Sequence, residues 1–370
     1  MVRLERRPER SRLYALLSPL LALALTCMVG AAMFVALGKS PVDGLYTYFV
    51  QPLVDPWLRG QLLAKATPLI LIAVGLAVCF RSGNWNIGAE GQYLIGGMAG
   101  TAVPVMLGAG EGVWVLPLVI LFGMAGGALY AAIPAILKSR FGANEILTSL
   151  MLVYVAQQLV DWIVRGPWRN PQGFGFPGTI SFPPDARLPK LYPGADAHFG
   201  LTLALLAGLV LWFVLSRTTK GFEVTVLGQA PRAGRFAGFD AKRMTIFAFL
   251  LSGAMAGLAG IAEVSGTAFK LDANLSLGYG FTAIIVAFLG RLNPLGIVVA
   301  GFVLALTIIG GEEAQIAMGI SDRASRVFQG LILFFVLACD TLMTYRIRIA
   351  RTRTLAGVAP AVGGNREVAG

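Results

Sequence analysis

Nine apolar runs, each close to the length needed to cross a bilayer, leave this chain few folds to adopt. They are Leu13–Leu37, Leu62–Phe80, Gly91–Leu107, Val113–Leu137, Ile146–Val164, Phe199–Leu215, Thr245–Val264, Pro294–Ile309 and Arg326–Met343. A helix needs about 20 apolar residues to span the hydrocarbon, and in lipid only helices or closed barrels satisfy their own backbone. A tenth run, Phe281–Gly290, is shorter. At 1.5 Å per residue it covers about 15 Å, half the hydrocarbon thickness, so it reads as a broken or re-entrant helix. Counting it gives an all-α integral membrane protein with about ten transmembrane helices, some of them short or broken. The 56% hydrophobic and 13% charged composition lies outside the range of soluble domains.

The organisation follows from these runs. Residues 13–343 form one membrane domain between a basic tail, 1–12, and a second tail, 344–370, whose end from Thr354 is small and polar and expected to be disordered. Segment 165–198 is rich in Pro and Gly and reads as an external loop or cap, and 216–244 as a cytoplasmic loop. With ten crossings and the N-terminus inside, 20 of the 30 Lys and Arg residues fall on cytoplasmic segments. That asymmetry follows the positive-inside rule and places both termini in the cytoplasm. The net charge of +11 therefore reports topology, and no nucleic-acid partner is expected. Leu13–Leu37 follows Arg-rich residues but is long for a signal h-region and lacks a small-x-small cleavage site, so it stays a span.

Catalytic chemistry is missing. No Gly-x-x-x-x-Gly-Lys-Ser/Thr loop is present to cradle phosphates, and no Ser/His/Asp or His-x-x-x-His grouping exists. The single histidine, His198, reads as a surface residue. Cys27, Cys79 and Cys339 lie within apolar runs without metal-ligand spacing. Asp161, Glu263, Glu90 and Asp340 sit near the ends of runs rather than at a midplane, where an ion-driven carrier needs an ionisable group. Pairing with Lys65, Arg81 or Arg346, or reaching the interface, is the expected role. The chain is thus not expected to be an enzyme or to bind a metal.

The polar interruption SRTTKGFEVTVLGQAPRAGRFAGFDAKRM, Ser216 to Met244, carries a local signature. Pro231 suits the first position of a helix and Gly238 its left-handed C-terminal cap. The intervening two turns are too short to be stable alone. Arg232, Arg235 and Phe236 share one face by their three- and four-residue spacing. A short basic helix between two spans reads as a docking element for a partner, with Gln229 at its approach. Two further breaks, RSGNWNIGAEGQ (Arg81 to Gln92) and GRLNPLG (Gly290 to Gly296), each set Asn among glycines between apolar helices, which reads either as a plain turn or as an interrupted helix along a pathway. Gly253-x-x-x-Gly257, Gly123-x-x-x-Gly127 and Gly96-x-x-x-Gly100 are close-packing motifs.

NIGAEGQ (Asn86 to Gln92), GANEILTSLML (Gly142 to Leu152), GQAPRAGRFAGF (Gly228 to Phe239), SGAMAGLAG (Ser252 to Gly260) and GYGFTAIIVAFLGRLNPLG (Gly278 to Gly296) occur in this order. Together they resemble the membrane permease subunit of an ATP-binding-cassette importer, of the branch serving nucleosides and simple sugars and related to ribose and branched-chain amino acid permeases. The resemblance covers roughly residues 62 to 340. It implies a type II-like importer fold in a bacterial inner membrane, with no cofactor on this chain and ATP and Mg on a separate ATPase subunit. It also implies a second permease, identical or different, an extracytoplasmic substrate-binding protein and a lipid surround. Gln229, Pro231, Arg232, Arg235, Phe236 and Gly238 then match the loop that inserts into the ATPase. The family often carries acidic or Asn residues early in that loop, where this chain has Gln229 and Pro231. NIGAEGQ is closer to the nucleoside form than to the Asp-Leu-Ser form of ribose permeases, so a nucleoside is the first substrate class and a simple sugar the alternative. A stand-alone secondary carrier is the rival class. Asn84, Asn86, Glu90, Gln92 and Asn293 are candidate polar groups of the pathway, and Trp85, Tyr279 and Phe281 candidate stacking groups for a flat base.

Overall fold

The computed structural model describes residues 2–6, 12–106, 112–321 apart from 193 and 195, scattered positions between 323 and 339, and 345–349. It resolves into two units, residues 1–29 with 330–370, and residues 30–329. In the first, β1 (Val2–Arg6) pairs antiparallel with β2 (Tyr345–Ile349), Val2 opposite Ile349 and Arg6 opposite Tyr345. The two segments had read as plain tails; their alternation of apolar and charged residues is the period-two signal of a ribbon. The stretch from Thr354, expected to be disordered, lies outside the described residues.

The rest is helical. From α1 (Arg12–Ala36) the chain passes through short α2 (Pro41–Leu45) and α3 (Gln51–Val54) into α4 (Pro56–Arg81), α5 (Ala89–Met106), α6 (Val115–Phe141) and α7 (Glu145–Arg165). After the 166–199 loop come α8 (Gly200–Arg217), α9 (Thr219–Gln229), α10 (Pro231–Phe236) and α11 (Ala241–Glu263). α12 (Tyr279–Leu289) and α13 (Pro294–Met318) follow. Among the described residues, six helices are long and apolar enough to cross a membrane: α4, α6, α7, α8, α13, and α11 with its π-turn extension to Ala268. Ala24–Ala36 and Ala273–Leu289 are apolar but shorter. The run Arg326–Met343 is helical at every described position between 323 and 339.

α4 lies at the centre. It is buried without a break from Ala66 to Phe80, as expected of a helix apolar on every side. α11 packs on α4, α5 and α6, while α8, α12 and α13 close round the other side of α4. The small-residue motifs make the first contact possible. A Cβ on Gly127 would sit 2.7 Å from the Gly257 Cα, and one on Gly96 would sit 2.8 Å from the Gly257 carbonyl. Three helices thus meet backbone to backbone at Gly257, which is the close approach small residues permit in lipid.

The 166–199 loop is an ordered cap. Its backbone donates from Thr179 to Leu271 at 2.9 Å, from Phe182 to Phe269 at 2.7 Å and from Leu188 to Ser265 at 3.0 Å. His198, expected at the surface, is fully buried beneath it, with Gly200 and Gly266 leaving room for its ring. Its Nδ1 accepts from the Gly200 N–H at 3.1 Å. Burial, then the Lys190 charge, pushes its pKa down to about 4.

Candidate functional site

α8 carries the chain from the cap to the opposite end of the bundle, where the 216–244 segment folds as two short helices. Thr218 caps α9 by accepting from the Gly221 N–H at 3.4 Å. α10 opens with Pro231 in its first turn and ends in a left-handed Gly238 at φ +85°. Gly238 N–H donates to Arg235 O and Phe239 N–H to Gly234 O, both at 3.0 Å, the paired bonds of a Schellman cap. Six residues are thereby fixed as a helix that lacks the length to hold itself. Its one buried residue, Gly234, rests on Leu227 of α9. Gln229, Pro231, Arg232, Arg235 and Gly238 are exposed and Phe236 is 94% exposed. Beside them Phe222 is 61% exposed and meets Phe239 edge-on at 6.1 Å. The end of the bundle thus presents an aromatic and basic surface on a capped, rigid support.

That support touches the first backbone break. Gly228 of α9 packs against the Arg81 carbonyl and Gly83, so closely that no side chain fits at 228. The 82–88 segment beyond it is tied to three spans. Asn84 is buried; its Oδ1 accepts from Lys138 Nζ at 2.8 Å and from Thr245 Oγ1 at 3.0 Å. Lys138 is in turn ion-paired with Glu145 at 2.5 Å, and the Ile87 N–H donates to Ser149 Oγ at 3.2 Å. Asn86 and Gln92, both fully buried, exchange amide hydrogen bonds at 2.9 and 3.0 Å, and Asn86 also donates to Ser252 Oγ at 3.1 Å and accepts from the Gly88 N–H at 3.1 Å.

Glu90 is a further buried polar group of this stretch of chain. Fully buried, it accepts from Ser276 Oγ and the Gly278 N–H at 3.0 Å and from the Gly280 N–H at 2.5 Å. Those amides form the N-terminus of α12, where a carboxylate is favoured by unsatisfied N–H groups and the helix dipole. α12 is 11 residues, about 16 Å, so the short run seen in the sequence is a half-length helix that starts on a buried carboxylate. Its other end carries Phe288, stacked on Phe80 at 5.2 Å and on Trp85 at 6.0 Å.

The candidate pathway residues therefore fall into separate places. Asn84, Asn86, Glu90 and Gln92 hold backbone breaks together through protein partners. Trp85, 44% exposed, lies at one end of α12, while Tyr279, buried edge-on to Tyr93 at 5.9 Å, and Phe281, 40% exposed, lie at the other. Asn293 is an exposed N-cap of α13, accepting from the Leu295 N–H at 3.3 Å. Asp161 pairs with Arg165 at 2.7 Å, and Asp340 lies outside the described residues. The partners Lys138, Glu145, Thr245, Ser252 and Ser276 are not singled out by the sequence, because their contacts with residues 84–92 are long-range; for Ser252, a polar residue inside an apolar run is the available signal.

Residues 58–337 match the family described as branched-chain amino acid transport system / permease component. The chain is 37% identical to the glucose ABC transporter permease protein TsgB13 of Haloferax volcanii, over 91% of this chain and 90% of that protein. It is 33% identical to the guanosine ABC transporter permease protein NupP of Bacillus subtilis, over 88% and 94%. To the nucleoside ABC transporter permease protein NupB of Lactococcus lactis it is 29% identical, over 86% and 90%. With six membrane-length apolar helices among the described residues and this match along most of its length, the chain is a multi-pass membrane protein of the branched-chain amino acid transport system permease component family.

Proposed function

We propose that this chain is the permease subunit of an ATP-binding-cassette importer for nucleosides, with ATP hydrolysed on a separate subunit. The reading includes a second permease, identical or different, and an extracytoplasmic binding protein. It takes ten crossings, both termini in the cytoplasm and the 166–199 cap outside. The observation that carries it is α10, a six-residue helix held by a Schellman cap whose projecting face is Phe236 flanked by Arg232 and Arg235. An exposed aromatic between two guanidinium groups suits a groove that is partly apolar and partly acidic. The seat of α9 on Arg81 and Gly83 offers the route inward. Movement of α10 reaches the 82–88 segment, and from there α6, α7 and α11 through Asn84, Asn86 and Ser149. Alternating access follows as the half-length α12 and the 82–88 break shift around the pathway.

The second reading, a simple-sugar permease of the same build, is favoured by the 37% identity to a glucose permease. Uptake of labelled guanosine and D-glucose in cells lacking and regaining the gene separates the two. Phe236→Asp and Arg235→Glu are expected to abolish uptake and co-purification of the ATPase while membrane insertion persists. Full transport by both variants refutes the docking role of α10.

A further inference from the structure

A cavity of about 220 Å³ opens beside the cap, lined by Gln61 and Lys65 of α4, Glu263 of α11, Thr267, Glu312 of α13 and Asp196 of the cap. Its charges are largely paired. Lys65 meets Glu312 at 3.2 Å and Asp196 meets Lys190 at 3.5 Å. Glu263 is the exception. It is 9% exposed, yet among the described residues it takes part in no hydrogen bond or ion pair, and the opposite charge that acts on it is Lys65, within electrostatic range only. A largely buried carboxylate without donors carries a desolvation cost, which the Lys65 charge offsets only from a distance. Close by, the buried hydroxyls of Tyr93 and Tyr279 also lack hydrogen-bond partners among the described residues, and Lys65 Nζ lies 6.0 Å over the Tyr279 ring.

The lining mixes functions: a carboxylate acceptor, an ammonium and an amide that donate, and a hydroxyl that does both. A bare cation takes oxygen ligands and would sit against Lys65. An anion would face three carboxylates with one lysine to answer them. Vicinal hydroxyls, each able to donate to Glu263 and accept from Lys65 or Gln61, match the set. We propose that this cavity binds the ring of a neutral cyclic polyol, the furanose of a nucleoside or a free pyranose, through Glu263. The proposal rests on the reading of the chain as a permease for nucleosides or simple sugars. The sugar ring, common to both substrate classes, is the part the permease recognises, and the base is left unread.

The test is saturation-transfer difference NMR on the full-length chain in lipid nanodiscs, with guanosine, D-glucose and free guanine as probes. The expected result is saturation of sugar-ring protons in guanosine and glucose and none of guanine. Glu263→Gln weakens both sugar-bearing probes by about tenfold or more, the loss expected when a charge-assisted bond to a ligand goes. Thr267→Val, at an exposed position, gives a smaller loss and keeps the test open should Glu263→Gln fold poorly. Saturation confined to the base, wild-type binding by both variants, or displacement of the sugars by sodium but not choline overturns the proposal. Uptake by cells separates the two failures. Wild-type uptake of guanosine or glucose without ring saturation removes the site and spares the permease; no uptake of either removes the substrate reading and the site with it.

Discussion

Gly228→Ala tests how α10 communicates with the membrane. A Cβ at 228 would lie 2.9 Å from the Arg81 carbonyl carbon and 3.2 Å from the Gly83 nitrogen, and nearer still to the Arg81 oxygen. Ordinary contact begins at 3.4 Å, so the carbonyl carbon alone asks for 3.4 − 2.9 = 0.5 Å, and the tighter approach to the Arg81 oxygen makes α9 withdraw further than that from the end of α4. Both neighbours are backbone, so no rotamer change relieves the clash, and overpacking of this kind costs about 1–3 kcal/mol. If that strain falls on the coupled state, transport drops about 5- to 150-fold. α10 keeps its cap and its exposed face, so the ATPase is expected to co-purify as before. The assay is uptake together with ATP hydrolysis in proteoliposomes supplied with the loaded binding protein. Slow uptake with undiminished ATPase association supports a mechanical link through Gly228; unchanged uptake refutes it. Gly238→Ala is the contrasting case. Nothing lies within 4 Å of its Cβ, but φ is +85°, so the expected cost is about 1–2 kcal/mol of backbone strain, read as weaker docking rather than uncoupling.

Two further outcomes follow from the buried polar groups. Asn86→Ala removes four hydrogen bonds and is expected to cost about 3–5 kcal/mol, seen as a lowered melting temperature in detergent. Adding Gln92→Ala should cost less than the two single losses summed, because the amide pair is broken once; strict additivity would contradict the pairing. His198 is neutral when folded and protonates more readily when unfolded. Its contribution is therefore complete above pH 6.5 and lost as pH falls from 6.5 towards about 4, by about 3 kcal/mol. His198→Gln should flatten the melting temperature across that window, and an unchanged slope would count against burial of the ring.

Local signals are legible in this sequence and distant ones are not. Pro231 and Gly238 bracket α10 within a few residues, so its limits were legible. The shortness of 281–290 also showed, because length alone distinguishes a half helix. What α12 starts on did not show: Glu90 is some 190 residues away in sequence. Asn84, Asn86 and Gln92 read as candidates to meet a substrate, since neither the local Asn86–Gln92 pairing nor the distant partners are visible in a linear pattern. Thr245, Lys138 and Ser252 bond Asn84 and Asn86 across the bundle. The β1–β2 ribbon was hidden for the same reason, its strands lying at opposite ends of the chain. The pairing of Lys65 with Glu312, 247 residues apart, is likewise beyond local reading, while Lys65 alone reads as a partner for buried acids.

The meeting of α5, α6 and α11 has a consequence for how this sequence can change. Where a glycine presses on a side chain, as Gly44 does on Phe34, an enlargement can be absorbed by trimming the neighbour. At Gly96, Gly127 and Gly257 each residue faces the backbone of another glycine, so neither partner has an atom to give up. No second substitution can restore the fit, and a library scanned in pairs should find these positions as intolerant together as they are singly. Variation in this protein must accumulate elsewhere, and the glycine seam stays closed to it.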